Sequence, residues 1–162
     1  MKLHSRIKAA AVLGLCGSLG FGSLAMAAED ISAADEGLFK SADLNGDGKI
    51  SRREIIHYTD LVFLSADVDG DDILTVEEFL QWDPGYLAIA EQEGKAPQLN
   101  SAKQEVYGDM DINGDGKLDH DEFSAASLYD FYRADTNSDG TLSQDEFLGE
   151  YRIVKAVRAS IQ

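Results

Sequence analysis

Apolar residues along this chain recur four times in one pattern: an aromatic, three residues, a twelve-residue polar window with one aliphatic at its eighth position, and an apolar residue directly after. The aromatics are Phe39, Phe63, Tyr107 and Phe131, and the aliphatics are Ile50, Leu74, Leu118 and Leu142. The closing residues are Ile55, Phe79, Phe123 and Phe147. Apolar brackets around a polar window predict helix, loop and helix, with the brackets in a core and the window at the surface. The windows are Asp43–Glu54, Asp67–Glu78, Asp111–Glu122 and Asp135–Glu146, in two pairs whose members begin 24 residues apart.

Within each window, oxygen-bearing residues occupy alternate positions, so that a chain curling round one centre directs them inward. A hard cation such as calcium takes six to eight such oxygens. Loop 1 offers Asp43, Asn45, Asp47, the Lys49 carbonyl, Ser51 and Glu54; loop 2 offers Asp67, Asp69, Asp71, the Ile73 carbonyl, Thr75 and Glu78. Loop 3 offers Asp111, Asn113, Asp115, the Lys117 carbonyl, Asp119 and Glu122; loop 4 offers Asp135, Asn137, Asp139, the Thr141 carbonyl, Ser143 and Glu146. Position 6 is Gly48, Gly116 or Gly140 in three loops, where a left-handed turn is needed, but Asp72 in loop 2. Asp tolerates that turn better than most residues, so loop 2 is expected to be a weakened site.

From about residue 31 onward these features resemble the EF-hand calcium-binding family. The resemblance implies up to four Ca2+ ions and an all-α fold, with position-8 residues forming short two-residue β contacts between paired loops.

Spacing sets which loops pair. Twelve residues without Gly or Pro separate loops 1 and 2 (IIHYTDLVFLSA), and another twelve separate loops 3 and 4 (FSAASLYDFYRA). Each is read as one helix shared by two loops, roughly 18 Å long, which holds those loops apart. Pairing is therefore predicted between halves, loop 1 with loop 4 and loop 2 with loop 3. In the connection between the halves, a short helix ends near Trp82-Asp83-Pro84-Gly85 and another runs through Tyr86–Glu93. Gly94–Pro97 breaks the chain, and Asn100 or Ser101 caps the next helix. Residues 31–82 thus hold hands 1 and 2, 83–100 the connection, and 101–162 hands 3 and 4, within one domain spanning 28–162.

Residues 1–27 read as a secretory signal: Lys2, Arg6 and Lys8, an apolar stretch from Ala9 to Leu24, and Ala25-Met26-Ala27 as a cleavage site. A cleaved chain is periplasmic or secreted, without a membrane span. Cys16, the sole cysteine, lies in this segment after Leu15, which disfavours lipid anchoring. Removing 27 of 162 residues leaves 135 without cysteine, so metal is the natural constraint in place of disulfides. It also leaves 11 basic against 30 acidic residues, a net charge of −19, which excludes nucleic acid as a partner.

The export signal and close loop spacing resemble the lanmodulins, bacterial periplasmic lanthanide-binding proteins, which implies a lanthanide ion as the alternative ligand. Lanmodulin loops carry Pro at position 2 and an acid at position 9. Here position 2 is Leu44, Val68, Ile112 or Thr136, and only Asp119 is acidic at position 9, the others being Ser51, Thr75 and Ser143.

The remaining residues carry little chemistry. The mature chain's single methionine, Met110, argues against a methionine-rich target groove. Tyr129, Tyr132 and Tyr151 are read as core or half-buried helix residues rather than groove lining, and Trp82 as a cap on the core. The terminal helix is expected to place Phe147, Tyr151, Val154 and Ile161 near one inward face, with Arg152, Lys155 and Arg158 elsewhere complementing its dipole. His57 and His120 lie in different repeats without a cysteine cluster, so zinc is not expected. No nucleophile elbow, phosphate loop or triad is present, so the chain is not read as an enzyme. The expectation is an exported monomeric calcium buffer or sensor whose binding is coupled to folding. The alternatives are a lanthanide binder, or an accessory subunit with a calcium-dependent protein partner.

Overall fold

The computed structural model describes the backbone of residues 23–162 and the side chains from residue 31. The predicted signal segment lies outside the described residues, apart from its last five, whose backbone begins the first helix. That helix, α1 (Ser23–Ala42), enters loop 1, and β1 (Ile50–Ser51) and α2 (Arg52–Ala66) leave it. β2 (Ile73–Leu74) and α3 (Val76–Gln81) follow loop 2, then α4 (Leu87–Gln92) and α5 (Ala96–Met110) lead to loop 3. β3 (Leu118–Asp119) and α6 (His120–Ala134) follow it, and β4 (Thr141–Leu142), α7 (Gln144–Glu150) and α8 (Arg152–Ile161) follow loop 4.

Each entry helix ends where the first aspartate of its loop donates its N–H to the bracketing aromatic's carbonyl. Asp43 bonds Phe39, Asp67 bonds Phe63, Asp111 bonds Tyr107 and Asp135 bonds Phe131, at 2.9–3.0 Å. The exit helices start on one device. Ser51, Thr75, Asp119 and Ser143 accept from the backbone N–H three residues on, and Glu54, Glu78, Glu122 and Glu146 reach back to the cap residue's own N–H. Such a capping box satisfies two otherwise orphaned amides at a helix start.

The shared helices α2 and α6 keep their flanking loops apart, and pairing runs between the halves as predicted. β1 pairs antiparallel with β4, placing Ile50 opposite Leu142; β2 pairs antiparallel with β3, placing Leu74 opposite Leu118. All four position-8 residues are fully buried. Core aromatics divide the same way. Phe63, Phe79, Tyr107 and Phe123 meet under loops 2 and 3, with ring centroids 5.5–6.4 Å apart. Phe39, Tyr58, Phe147 and Tyr151 meet under loops 1 and 4 at 5.3–6.4 Å. Where α2 packs on α6, a buried chain of hydroxyls runs from Thr59 through Ser127 to Tyr151.

Several expectations need correction. α5 begins at Ala96 rather than at a cap on Asn100 or Ser101, because Pro97 sits in its first turn, where a missing N–H costs nothing. The predicted terminal helix is two helices, broken at Tyr151, whose ψ of 119° is extended. The break turns the Tyr151 ring inward against Phe147, and all four predicted inward residues are buried. Arg158 lies in the last turn of α8, where it complements the dipole, but it is also an ion-pair partner. Its Nε and an Nη bond both oxygens of buried Asp35 on α1 at 2.8 and 2.9 Å, and its other Nη bonds the Leu148 carbonyl at 2.8 Å. Tyr129 and Tyr132 are exposed, at 56% and 57%, whereas Tyr151 is buried. Trp82 is partly buried against the core, as its predicted capping role requires.

Candidate metal centres

In every loop the position-1 carboxylate organises the turn. Asp43, Asp67, Asp111 and Asp135 each accept from the position-5 and position-6 amides, at 2.8–3.2 Å. Position 3 (Asn45, Asp69, Asn113, Asn137) accepts from the position-5 amide at 2.8–3.2 Å. Position 5 (Asp47, Asp71, Asp115, Asp139) accepts from the position-7 amide, of Lys49, Ile73, Lys117 and Thr141, at 2.9–3.0 Å. The final glutamate closes the ring. One oxygen each of Glu54, Glu78, Glu122 and Glu146 takes the position-3 amide, and the other takes the amide of Ser51, Thr75, Asp119 or Ser143.

Bonds within each loop thus link candidate positions 1, 3, 5, 9 and 12 to one another. In loop 2 one oxygen from each of Asp67, Asp69 and Asp71 lies within 4.8 Å of the others. Oxygens bound to one calcium at 2.3–2.6 Å stand at most about 5 Å apart, so this set fits the ion. Such hard oxygen donors suit calcium rather than a softer metal.

Loop 2 reaches this shape despite Asp72. Its φ is +64°, matching Gly48, Gly116 and Gly140 at +83°, +78° and +83°, and its N–H bonds Asp67 at 3.1 Å. Ser138 in loop 4 also has a positive φ, +58°, where the other loops have glycine, a strained position the sequence reading missed. The left-handed conformation costs a side-chain-bearing residue roughly 1–2 kcal/mol.

The electrostatics differ between loops. In loop 2, desolvation and the neighbouring carboxylates of Asp71, Glu78 and Asp67 push Asp69 upward. Hydrogen bonds from Ser143, Asn137 and Thr136 pull Glu146 down to about 2 against its desolvation, and those from Thr75 lead the depression of Glu78. Burial works against ionisation of Glu54, but bonds from Ser51, Asn45 and Leu44 outweigh it. Asp139 falls to about 2, held by the Thr141 hydroxyl and the Lys49 ammonium. Each glutamate thus serves twice, as helix cap and as candidate ligand. The S/T/D-x-x-E spacing was visible in the sequence but was read there only as ligand chemistry.

Elsewhere, His57 is exposed, and His120 lies edge-on to Phe63 with Nε2 3.1 Å from Asp60. No His–Cys cluster forms among the described residues.

Residues 35–57, 108–126 and 128–148 match the EF hand family. This is an EF-hand protein. The matched regions contain loops 1, 3 and 4 in full, and its EF-hands bind calcium as a class. Loop 2, the one without a position-6 glycine, falls between the matches, yet it has the same internal hydrogen bonds as the other three. No curated protein and no solved structure matches the chain.

Proposed function

We propose that this EF-hand protein is an exported calcium buffer with up to four sites, in which metal binding is coupled to folding. The ligands are the alternate loop residues from Asp43 to Glu54, Asp67 to Glu78, Asp111 to Glu122 and Asp135 to Glu146. Bound calcium supplies the positive charge that lets these carboxylates converge; four ions would take the mature chain from −19 to −11. The observation that favours buffering over sensing is α8. A sensor opens an apolar groove for a target, but here α8 packs on α5 with Ile153, Val154, Val157 and Ile161 buried. Arg158 fastens it to Asp35, and Lys95 caps it by donating to the Ile161 carbonyl at 2.9 Å.

Calcium added after chelation should raise helicity without raising binding of an apolar dye. An unchanged circular dichroism spectrum would refute the coupling, and strong calcium-dependent dye binding would refute the buffer.

Lanthanide binding is the second reading. Loops 2 and 3, joined by β2 and β3, carry four candidate ligand carboxylates each, the charge a trivalent ion favours. Competition between calcium and lanthanum, with magnesium as control, separates the readings.

A further inference from the structure

The position-5 carboxylates are not equivalent. In Asp47, Asp71 and Asp115 one oxygen holds the position-7 amide, and the second accepts no hydrogen bond among the described residues. In Asp139 both oxygens are engaged. Oδ1 takes the Thr141 N–H at 2.9 Å and the Thr141 hydroxyl at 2.6 Å, and Oδ2 takes the Lys49 ammonium at 2.9 Å. Lys49 belongs to loop 1. It directly precedes β1, and the register that sets Ser51 opposite Thr141 carries its side chain across to loop 4. Its counterpart in loop 3, Lys117, makes no ion pair among the described residues, so this tie is specific to the pair of loops 1 and 4.

From this we infer that Lys49 is a resident competing cation at the fourth site, lowering the affinity of loop 4 for calcium. The inference rests on the calcium reading of loop 4. A metal there draws on the Asp139 carboxylate that the ammonium already neutralises, and its field repels the ammonium. Lys49 also presents its own carbonyl to loop 1, so a single residue serves one site through its backbone and opposes the next through its side chain. Because the pair is about half exposed, with side chains 53% and 40% accessible, the effect is moderate and sensitive to salt.

The test is a calcium titration of the full protein followed by NMR, site by site. The Gly48, Gly116 and Gly140 amides each donate to the first aspartate of their loop, at 2.8–2.9 Å, and report loops 1, 3 and 4 separately. At low salt, Lys49→Gln should saturate Gly140 at a free calcium concentration about three- to tenfold lower than in the parent, with Gly116 unmoved. Lys49→Arg should behave as the parent, and 0.5 M KCl should remove most of the difference (on the order of the Debye screening at that strength). An unchanged or weakened response of Gly140 in Lys49→Gln overturns the inference, as does an equal gain at Gly116. If Gly140 fails to respond to calcium in the parent itself, the calcium reading of loop 4 falls first and the inference with it.

Discussion

Arg158→Met removes the guanidinium that fastens α8 to α1 while keeping an apolar stem to pack. Asp35, 7% exposed, would then retain a single described side-chain partner, the Tyr86 hydroxyl, which donates to it at 2.6 Å. Stripping the partner from a buried ion pair costs about 3–5 kcal/mol, because the remaining charge is left desolvated. The Arg158 side chain is 23% accessible and its site therefore admits some water, which lowers the expectation to about 2–4 kcal/mol. Loss of the bond to the Leu148 carbonyl is included in that range. Urea unfolding followed by circular dichroism, in calcium and in chelator, measures the change. Adding Asp35→Asn to Arg158→Met should recover at least about 1 kcal/mol, since it removes the stranded charge. A single variant within about 0.5 kcal/mol of the parent would refute the clasp as a stabilising element. A double variant less stable than Arg158→Met would refute the stranded-charge explanation. Apolar dye binding should also rise in Arg158→Met, because α8 then covers α5 less firmly.

Asp72→Gly should tighten calcium at loop 2 about fivefold, the equivalent of relieving about 1 kcal/mol of left-handed strain; a site-resolved titration with no gain would show that Asp72 costs nothing. Ser138→Gly should raise thermal stability through the same relief, and a lowered midpoint would show that glycine's extra freedom in the unfolded chain outweighs it. Lys103, buried and donating to the carbonyls of Leu80 at 2.6 Å and of Trp82, closes the end of α3. Desolvation, only opposed by Asp83, pushes its ammonium down from 10.5 to about 8. The folded value lies below the unfolded one, so between these pH values the unfolded chain holds more protons and stability rises with pH. Relative to Lys103→Met, which lacks the titration, the parent should gain up to about 3 kcal/mol across that window. A constant difference between the two unfolding curves would contradict this.

The loops were legible because their candidate ligand positions, their position-8 aliphatics and their bracketing aromatics are all local in sequence. Even the cross-pairing followed from a local fact: twelve residues make one helix too long for its two loops to meet. What was misread involved residues whose partners are distant. Arg158 was read only as a complement to its helix dipole because Asp35 stands 123 residues away in the chain. Tyr151 looked like one more residue of a continuous helix, because the inward pull of Ser127 on its hydroxyl has no signature in the sequence. Tyr129 and Tyr132 looked half-buried because their helix is amphipathic on average, yet the α2 contact covers only one side of α6. Pro97 was taken as a break because proline stops a helix when it lies in the interior but not when it lies in the first turn.

By itself the sequence determined the four-fold repeat of oxygen-rich loops and the partition into shared helices, since each depends on residues a few positions apart and on the rigid length of a helix. Tertiary structure alone decided that Lys49 of loop 1 sits on a carboxylate of loop 4, that α8 covers α5, and that Arg158 of α8 pairs with Asp35 of α1. Each of these depends on where packing brings side chains separated by about a hundred residues or on which helix faces meet, and such contacts leave no periodic trace to be read beforehand.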